Sequence, residues 1–326
     1  MAVTNPSDID SSVLEAWSGK VLRDHRYAGF WGRFVGTAIK QDTELLNKPG
    51  DLIHIQVTNP LTGSGVTGDT AALVGNEEKL TSSELKVSPL LYRHAVRVNR
   101  RAQKKSIIDL MDEARTRLAE WGMHTMDTAR FANFTATVLP APLAAEAYTP
   151  NYYTVGGTDG TPHVDDIAVG ETLTVASIQQ IRLILEANRA APINVDGDGV
   201  YCLVTHPYAL YALKRETEYM NWVREAAVRG SDNPFFKGVT AVIDGVAILS
   251  SFRVPRVANA TAVQVAKGIA FGSDAFVEGL DENTHSEAES FDYGLEMGIS
   301  YEWAFQPRRA LELSSLQVYA SAPTIP

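Results

Sequence analysis

Hydrophobic and polar positions change their period several times along the 326 residues, and each change marks a new element. Val13, Leu14, Trp17 and Val21 stand at helical spacing. The segment that follows, YAGFWGRFVGTAI, mixes aromatics with three glycines and is too interrupted for a long helix. It offers no second layer on which to bury its rings, so it reads as an arm that docks them on another surface. From Lys48 to Asn99 the period shortens. LIHIQV alternates, and so does the end of LLYRHAVRVN, which predicts two strands around a centre rich in Gly, Thr and Ser, a long hairpin-like excursion. Residues 59–88 have few large apolar side chains. They cannot build a core and must lie over solvent or over another surface.

The strongest helical signal runs from Ser106 to Phe134. Ile107, Met111, Ala114, Leu118, Trp121, Ala129 and Ala132 recur at steps of three or four, while Asp112, Glu113, Arg115, Arg117 and Glu120 fall largely off that stripe. Ser106 with Asp109 resembles a capping box. At 1.5 Å per residue such a helix is about 40 Å long, the width of a domain, and would act as a spine. Residues 137–170, dense in Pro, Gly and Tyr, predict an irregular insertion with a short hairpin.

Ala176 to Ala190 returns to helix, with Ile178, Ile181, Ile184 and Leu185 as its buried stripe, and VYCLVTHP predicts a central strand ended by His206-Pro207. ALYALKR and ETEYMNWVREAAVR predict further helices, RGSDNPFFKG a loop, TAVIDGVAILSS two strands around an Asp244-Gly245 turn, and KGIAFGS a third strand. The acidic run LDENTHSEAESFD separates this region from a last strand, YGLEMGISYEWAF, whose alternation continues weakly into ALELSSLQVY. These late strands are far in sequence from any partner. They are expected to pair back onto earlier elements, an α+β architecture with discontinuous domains.

With 45% hydrophobic and 21% charged residues the chain belongs among ordinary globular proteins. No run approaches the roughly 20 apolar residues of a membrane-spanning helix, and MAVTNPSDIDSS has neither the basic start nor the apolar centre of a signal peptide, so export is not expected. The single cysteine, Cys202, lies in the apolar run VYCLV and reads as a buried small hydrophobe. A net charge of −10 gives no chain-wide attraction to phosphate backbones. Nucleic-acid binding would need a local basic face. Two are candidates: Lys20, Arg23, His25, Arg26 and Arg33, and later Arg93, Arg97, Arg100, Arg101, Lys104 and Lys105, both equally readable as solvated faces or ion-paired sets.

Motifs that suggest chemistry fail on their own terms. In LTGSGVTGDT, Gly63, Gly65 and Gly68 fit a dinucleotide fingerprint, and Gly63, Gly68 and Thr70 fit a phosphate loop with Asp69 in place of its lysine. Asp69 inverts the charge that would meet the phosphate, no helix is predicted to follow, and Asn59-Pro60 breaks the feeding strand. NVDGDG opens like a calcium loop, but its twelfth position is Thr205 rather than a bidentate glutamate. No two of the seven histidines sit four apart on a helix, and the pairs Glu77-Glu78 and Asp165-Asp166 fall in turn-like segments without a nearby nucleophile motif. No catalytic, cofactor-binding or metal-binding residue is expected.

An arm, a two-stranded excursion, a spine helix, an α/β block and a late return strand together resemble the major capsid proteins of tailed bacteriophages, the Hong Kong 97 fold, and within them the N4-like podovirus subgroup. The resemblance rests on KPGDLIHIQVTNPLTGSGVTGD with GNEEKL, on LYRHAVRV, on DLMDEARTRLAEWGMHTMDTARF, on THPYALYALKRETEYMNWVREAAVRGSDNPFFKGV and on FDYGLEMGISYEWAF. The glycine-rich pattern is altered at Ala71-Ala72-Leu73-Val74, and residues 137–170 have no counterpart.

The resemblance implies an α+β fold of the Hong Kong 97 type. Residues 1–46 would be an N-terminal arm, 47–99 an extended β-hairpin loop (E-loop), and 100–172 a peripheral domain holding the spine helix 106–134 and the irregular insertion 137–170. Residues 173–280 would form an axial α/β domain, and 281–326 return strands and a C-terminal tail. It implies a structural protein, not an enzyme, that assembles into hexamers and pentamers and forms an icosahedral head shell around double-stranded DNA. The partners would be copies of itself, with scaffolding, portal and cement proteins and nonspecific DNA contact on the inner face, no membrane and no cofactor. The chain would reside in the virion after assembly in the bacterial cytoplasm. The contacts between subunits would come from the arm residues Tyr27, Phe30, Trp31 and Phe34 and from Leu61, Gly63, Gly65, Val66, Gly68, Asp69, Glu77 and Glu78. The rival readings are a nucleotide-binding enzyme using Gly63 to Thr70 and a nucleic-acid-binding module using Arg93 to Lys105.

Overall fold

The computed structural model describes residues 29–43, 52–58, 61, 63, 65–68, 73–106, 109–136, 151–156, 164–195, 198–221, 242–310 and 312–323. After a 3-10 turn at Trp31–Phe34, the chain forms β1 (Ile39–Asp42), β2 (Ile53–Thr58), β3 (Ser82–Val87), β4 (Leu90–Asn99), α1 (Arg100–Lys105) and α2 (Leu110–Phe134). Next come β5 (Tyr152–Thr154), α3 (Val175–Ala187), β6 (Ile193–Val195), β7 (Asp198–Thr205), α4 (Pro207–Lys214), β8 (Val242–Ile243) and β9 (Val246–Ser250). The chain closes with β10 (Arg256–Ala258), β11 (Gln264–Phe271), β12 (Phe276–Phe291), β13 (Glu296–Arg309) and β14 (Ser315–Ser321). Two compact units divide it. Among the described residues the smaller holds Arg93–Met123 and His285–Tyr301, and the larger holds the rest.

The larger unit is built on a mixed sheet ordered β5-β14-β11-β7-β9-β8, with β10 paired to β11 and β6 to β7. Its centre is buried on both faces, which is why VYCLV is a continuous apolar run. Tyr201 and Leu203 join the core under α3, while Cys202 and Val204 join the core on the other face. Helix α3 supplies Ile178, Ile181 and Leu185 to the first core, all at 0% exposure. It starts at a capping box in which Thr174 Oγ1 accepts from the Ser177 amide (3.2 Å) and Ser177 Oγ accepts from the Thr174 amide (2.9 Å). His206 caps α4, its Nδ1 accepting from the Tyr208 amide at 3.2 Å, and Pro207 occupies the first helical position.

Four sequence expectations are corrected here. LIHIQV pairs with SSELKV, not with LLYRHAVRVN: β2 and β3 are antiparallel from Ile53↔Val87 to Thr58↔Ser82, and β4 joins β13 in a sheet ordered β1-β12-β13-β4. The acidic run is not a separator but most of the 16-residue β12. Among the described residues, α2 begins at Leu110, not Ser106, and Asp109 Oδ1 accepts from the Met111 (2.9 Å) and Asp112 (3.3 Å) amides in place of the Ser106 box. Its buried stripe follows Ala114 and Leu118, then turns to Asp127, Arg130, Phe131 and Phe134, whereas Ala129 is half-buried and Ala132 exposed. Ile107 lies outside the described residues.

Within the smaller unit, Asn99 Oδ1 caps α1 by accepting from the Arg101 amide at 2.8 Å, and the Arg100 amide donates to the Leu295 carbonyl at 2.8 Å. His94 on β4 meets Trp121 on α2 with ring centroids 4.8 Å apart.

Candidate functional site

The β2–β3 ribbon is anchored at its base and bare beyond it. Ile53, Leu85 and Val87 pack on Val277 of β12. The approach is close enough that a Cβ at Gly279 would sit 2.7 Å from Ile53 Cδ1 and 2.8 Å from Val87 Cγ1. The Ser88 amide donates to Gln306 Oε1 at 3.0 Å, and Arg308 donates to the Lys86 carbonyl, so β13 fixes the same base.

Beyond Thr58 the described residues of the ribbon are exposed until Leu85, apart from half-buried Val66. Leu61, Leu73, Val74 and Leu80 show 62, 64, 85 and 76% of their surface. Isolated exposed apolar residues need no explanation, but here four stand on one ribbon that has no core of its own. Gly65, Gly68 and Gly75 take positive φ, the turns a ribbon of this kind requires. Glu78 Oε2 accepts from the Gly63 amide at 2.7 Å and Glu77 Oε2 from the Gly75 amide at 2.8 Å. Both carboxylates therefore brace the ribbon from within. Glu78 also occupies the Gly63 amide that a phosphate would need, which counts against a nucleotide there. Asp69 lies outside the described residues.

Three of the aromatics assigned to contacts between subunits are instead core residues of this chain. Phe30, Trp31 and Phe34 are 8, 0 and 7% exposed and pack with Phe131, Phe134, Phe271 and Phe276. Arg33 closes this cluster, its guanidinium 4.8 Å from the Phe30 ring centroid. The sequence argument failed because the second layer these rings lacked locally is supplied by α2 and β11–β12, about a hundred and more positions away. Tyr27 lies outside the described residues.

A buried ionic clasp holds this turn in place, and sequence reasoning missed it. Asp127 on α2 accepts from the Phe30 and Trp31 amides at 2.5 and 3.3 Å. Arg130, one turn on, reaches Asp127 at 3.3 Å and grips Glu278 of β12 through two bonds of 2.5 and 3.0 Å. Gln41 also donates to Glu278 at 3.2 Å. Burial opposes the charge on Arg130, but the hydrogen bonds and field of Glu278, then of Asp127, prevail and raise its pKa above the ordinary arginine value. The available signal was a lone glutamate inside the apolar stretch FVEGL.

The remaining candidates are passive. Burial pushes the Cys202 thiol up to about 11, which leaves it protonated and unreactive at neutral pH. Around NVDGDG, Asn194 pairs with Gly199 across the β6–β7 hairpin. No group of His, Cys, Asp and Glu among the described residues could hold a metal ion. In the basic segment Arg97 pairs with Glu296 at 3.2 Å, while Arg100, Arg101, Lys104 and Lys105 are exposed on α1. An open groove of about 390 Å³ lies beside them, lined by Val96, Val98, Ala102, Leu110 and Ala114 with Arg97 and Arg117 among its polar members.

Comparison with known proteins places this geometry in context. The model of a family described as phage capsid protein matches residues 32–305. The major capsid protein of Pseudomonas phage KPP25 is 27% identical over 340 residues, covering 91% of this chain and 89% of that protein. The capsid of Ralstonia phage GP4 superposes with a TM-score of 0.78 at 20% identity over 100% of both chains, and the capsid asymmetric unit of cyanophage Pam1 with 0.77 at 18% over 96 and 97%. The head structure of Helicobacter pylori bacteriophage KHP40 gives 0.76 at 13% over 99 and 100%. At these identities the structural likeness establishes the fold.

Proposed function

The chain belongs to the phage capsid protein family, and from that premise we propose that it is a major capsid protein of the Hong Kong 97 type, built as in the N4-like podoviruses. Copies assemble into hexamers and pentamers that close an icosahedral shell around double-stranded DNA, in the host cytoplasm, and persist in the virion. Scaffolding, portal and cement proteins are the further partners this reading allows. In it α2 is the spine, the ribbon between β2 and β3 is the E-loop, and residues 173–280 form the axial domain.

The observation that carries the proposal is the ribbon, whose base is packed and whose outer part exposes Leu61, Leu73, Val74 and Leu80. Fully burying such a side chain contributes about 1.5–3 kcal/mol. Association and ordering costs offset much of that in a single contact, and repetition over many copies makes the shell stable. Each ribbon lies on a neighbour whose own ribbon lies on the next, a heterologous contact that closes into rings. Gly63, Gly65, Val66 and Gly68 keep the ribbon thin, and Glu77 and Glu78 brace it before it meets a neighbour.

The test replaces residues 61–80 by a short Gly-Ser link, leaving β2 and β3 paired. Electron microscopy of the overexpressed wild-type chain is expected to show shells. The shortened chain is expected to keep its circular dichroism and unfolding midpoint and to form none. Shells from the shortened chain, or its unfolding, would defeat the proposal.

A further inference from the structure

In the smaller unit the turn between β12 and β13 is strained and presents a single bare aromatic. Asp292, Tyr293 and Gly294 all take positive φ (47, 51 and 87°), and Tyr293 is fully exposed, at 109%. Two consecutive non-glycine residues in the left-handed region persist only when their surroundings hold them there. Here Phe291 lies so close to Gly298 that a Cβ at 298 would be 2.7 Å from its ring, and Arg97 holds its guanidinium 4.1 Å from the ring centroid. The Arg100 amide holds Leu295. The turn is therefore pre-organised, with its tyrosine projecting into solvent.

Charge is sorted around it. No Lys or Arg occurs between Lys267 and Arg308, the hairpin arm before the turn exposes Glu287 and Glu289, and the turn itself exposes Asp292. No Asp or Glu occurs between Glu84 and Asp109, and α1 exposes Arg100, Arg101, Lys104 and Lys105 beside the apolar groove. Tyr293 does not enter the groove of its own chain, as its exposure shows. We infer that the acidic β12–β13 turn of one copy docks on the basic α1 of a second copy, with Tyr293 seated in the groove between β4 and the two helices.

The phenol ring suits a groove of apolar walls with arginines among its members, where its face meets guanidinium and its hydroxyl stays at the rim. The acidic arm meets the basic helix, which sets the partner and register of the contact. The contact is separate from the ribbon, although it rests on the same capsid reading.

Charge exchange tests it in assembly without DNA, followed by light scattering and electron microscopy. Arg101→Glu with Lys105→Glu, or Glu287→Lys with Glu289→Lys, is expected to raise the concentration for half-assembly about tenfold or more. Combining the two pairs is expected to restore assembly, because the attraction is then rebuilt with its signs reversed. Tyr293→Ala is expected to weaken assembly and Tyr293→Phe to retain it. All these positions are exposed, so unfolding midpoints should stay put.

If the single charge reversals assemble like wild type, or the combined variant stays as defective as its parents, the contact is wrong and the ribbon reading stands. If the α1 reversal assembles normally and loses only salt-sensitive DNA retention, α1 faces DNA and the inference is overturned. A wild-type chain that remains monomeric at every concentration defeats both readings.

Discussion

Replacing Trp31 by alanine separates a core role from an interface role. Trp31 is 0% exposed, and six phenylalanines, Phe30, Phe34, Phe131, Phe134, Phe271 and Phe276, surround it with ring centroids between 5.0 and 5.7 Å. Truncating a buried tryptophan removes transfer free energy and leaves a cavity, together about 3–5 kcal/mol. The ring geometry keeps the value off the bottom of that range, since each aromatic pair adds about 0.5–1.5 kcal/mol without simple additivity. No hydrogen bond is lost, because the indole Nε1 has no partner among the described residues. A loss of about 4 kcal/mol is a large share of the 5–15 kcal/mol typical of folded proteins. The assay is guanidinium unfolding of the dilute, unassembled chain by far-ultraviolet circular dichroism. With a slope of about 4 kcal/mol per molar, the midpoint should fall by about 1 M. Trp31→Phe, which keeps a ring, should fall less. An unchanged midpoint combined with lost assembly would refute the reasoning and place Trp31 between subunits.

Glu278→Ala strands the buried Arg130 charge beside Asp127 alone and is expected to cost about 3–5 kcal/mol in urea unfolding. The double variant Arg130→Met/Glu278→Met should lose less than either single change, and simple additivity would exclude the clasp as drawn. Burial, and then Arg256, hold the His206 pKa below its ordinary value, so the folded state binds a proton at this imidazole less readily than the unfolded chain, which takes one up near 6.5. Its contribution is therefore present above that pH and lost as pH falls through it. His206→Asn keeps a side chain that caps helices well and should flatten the fall in melting temperature between neutral pH and pH 5; an identical slope in both proteins would exclude His206 as its source.

The chain by itself determined which segments bury one face, two faces or none. A strand buried on both sides must be apolar at every position, so VYCLV marked the sheet centre, and a helix lying on one surface must repeat at three or four, so Ile178, Ile181 and Leu185 marked α3. The scarcity of large apolar residues between β2 and β3 marked a ribbon that builds no core of its own. Tertiary structure alone decided what lies against what. Backbone hydrogen bonds carry no side-chain label, so nothing in LIHIQV distinguished β3 from β4 as its partner. β12 escaped notice because its outer half is exposed and leaves no apolar period to read, its place being set by β13. Trp31 announced a need for burial but not its destination, which α2, β11 and β12 jointly provide. Asp127, Arg130 and Glu278 met only on folding, because a buried charge is tolerable when its counter-charge arrives from another element.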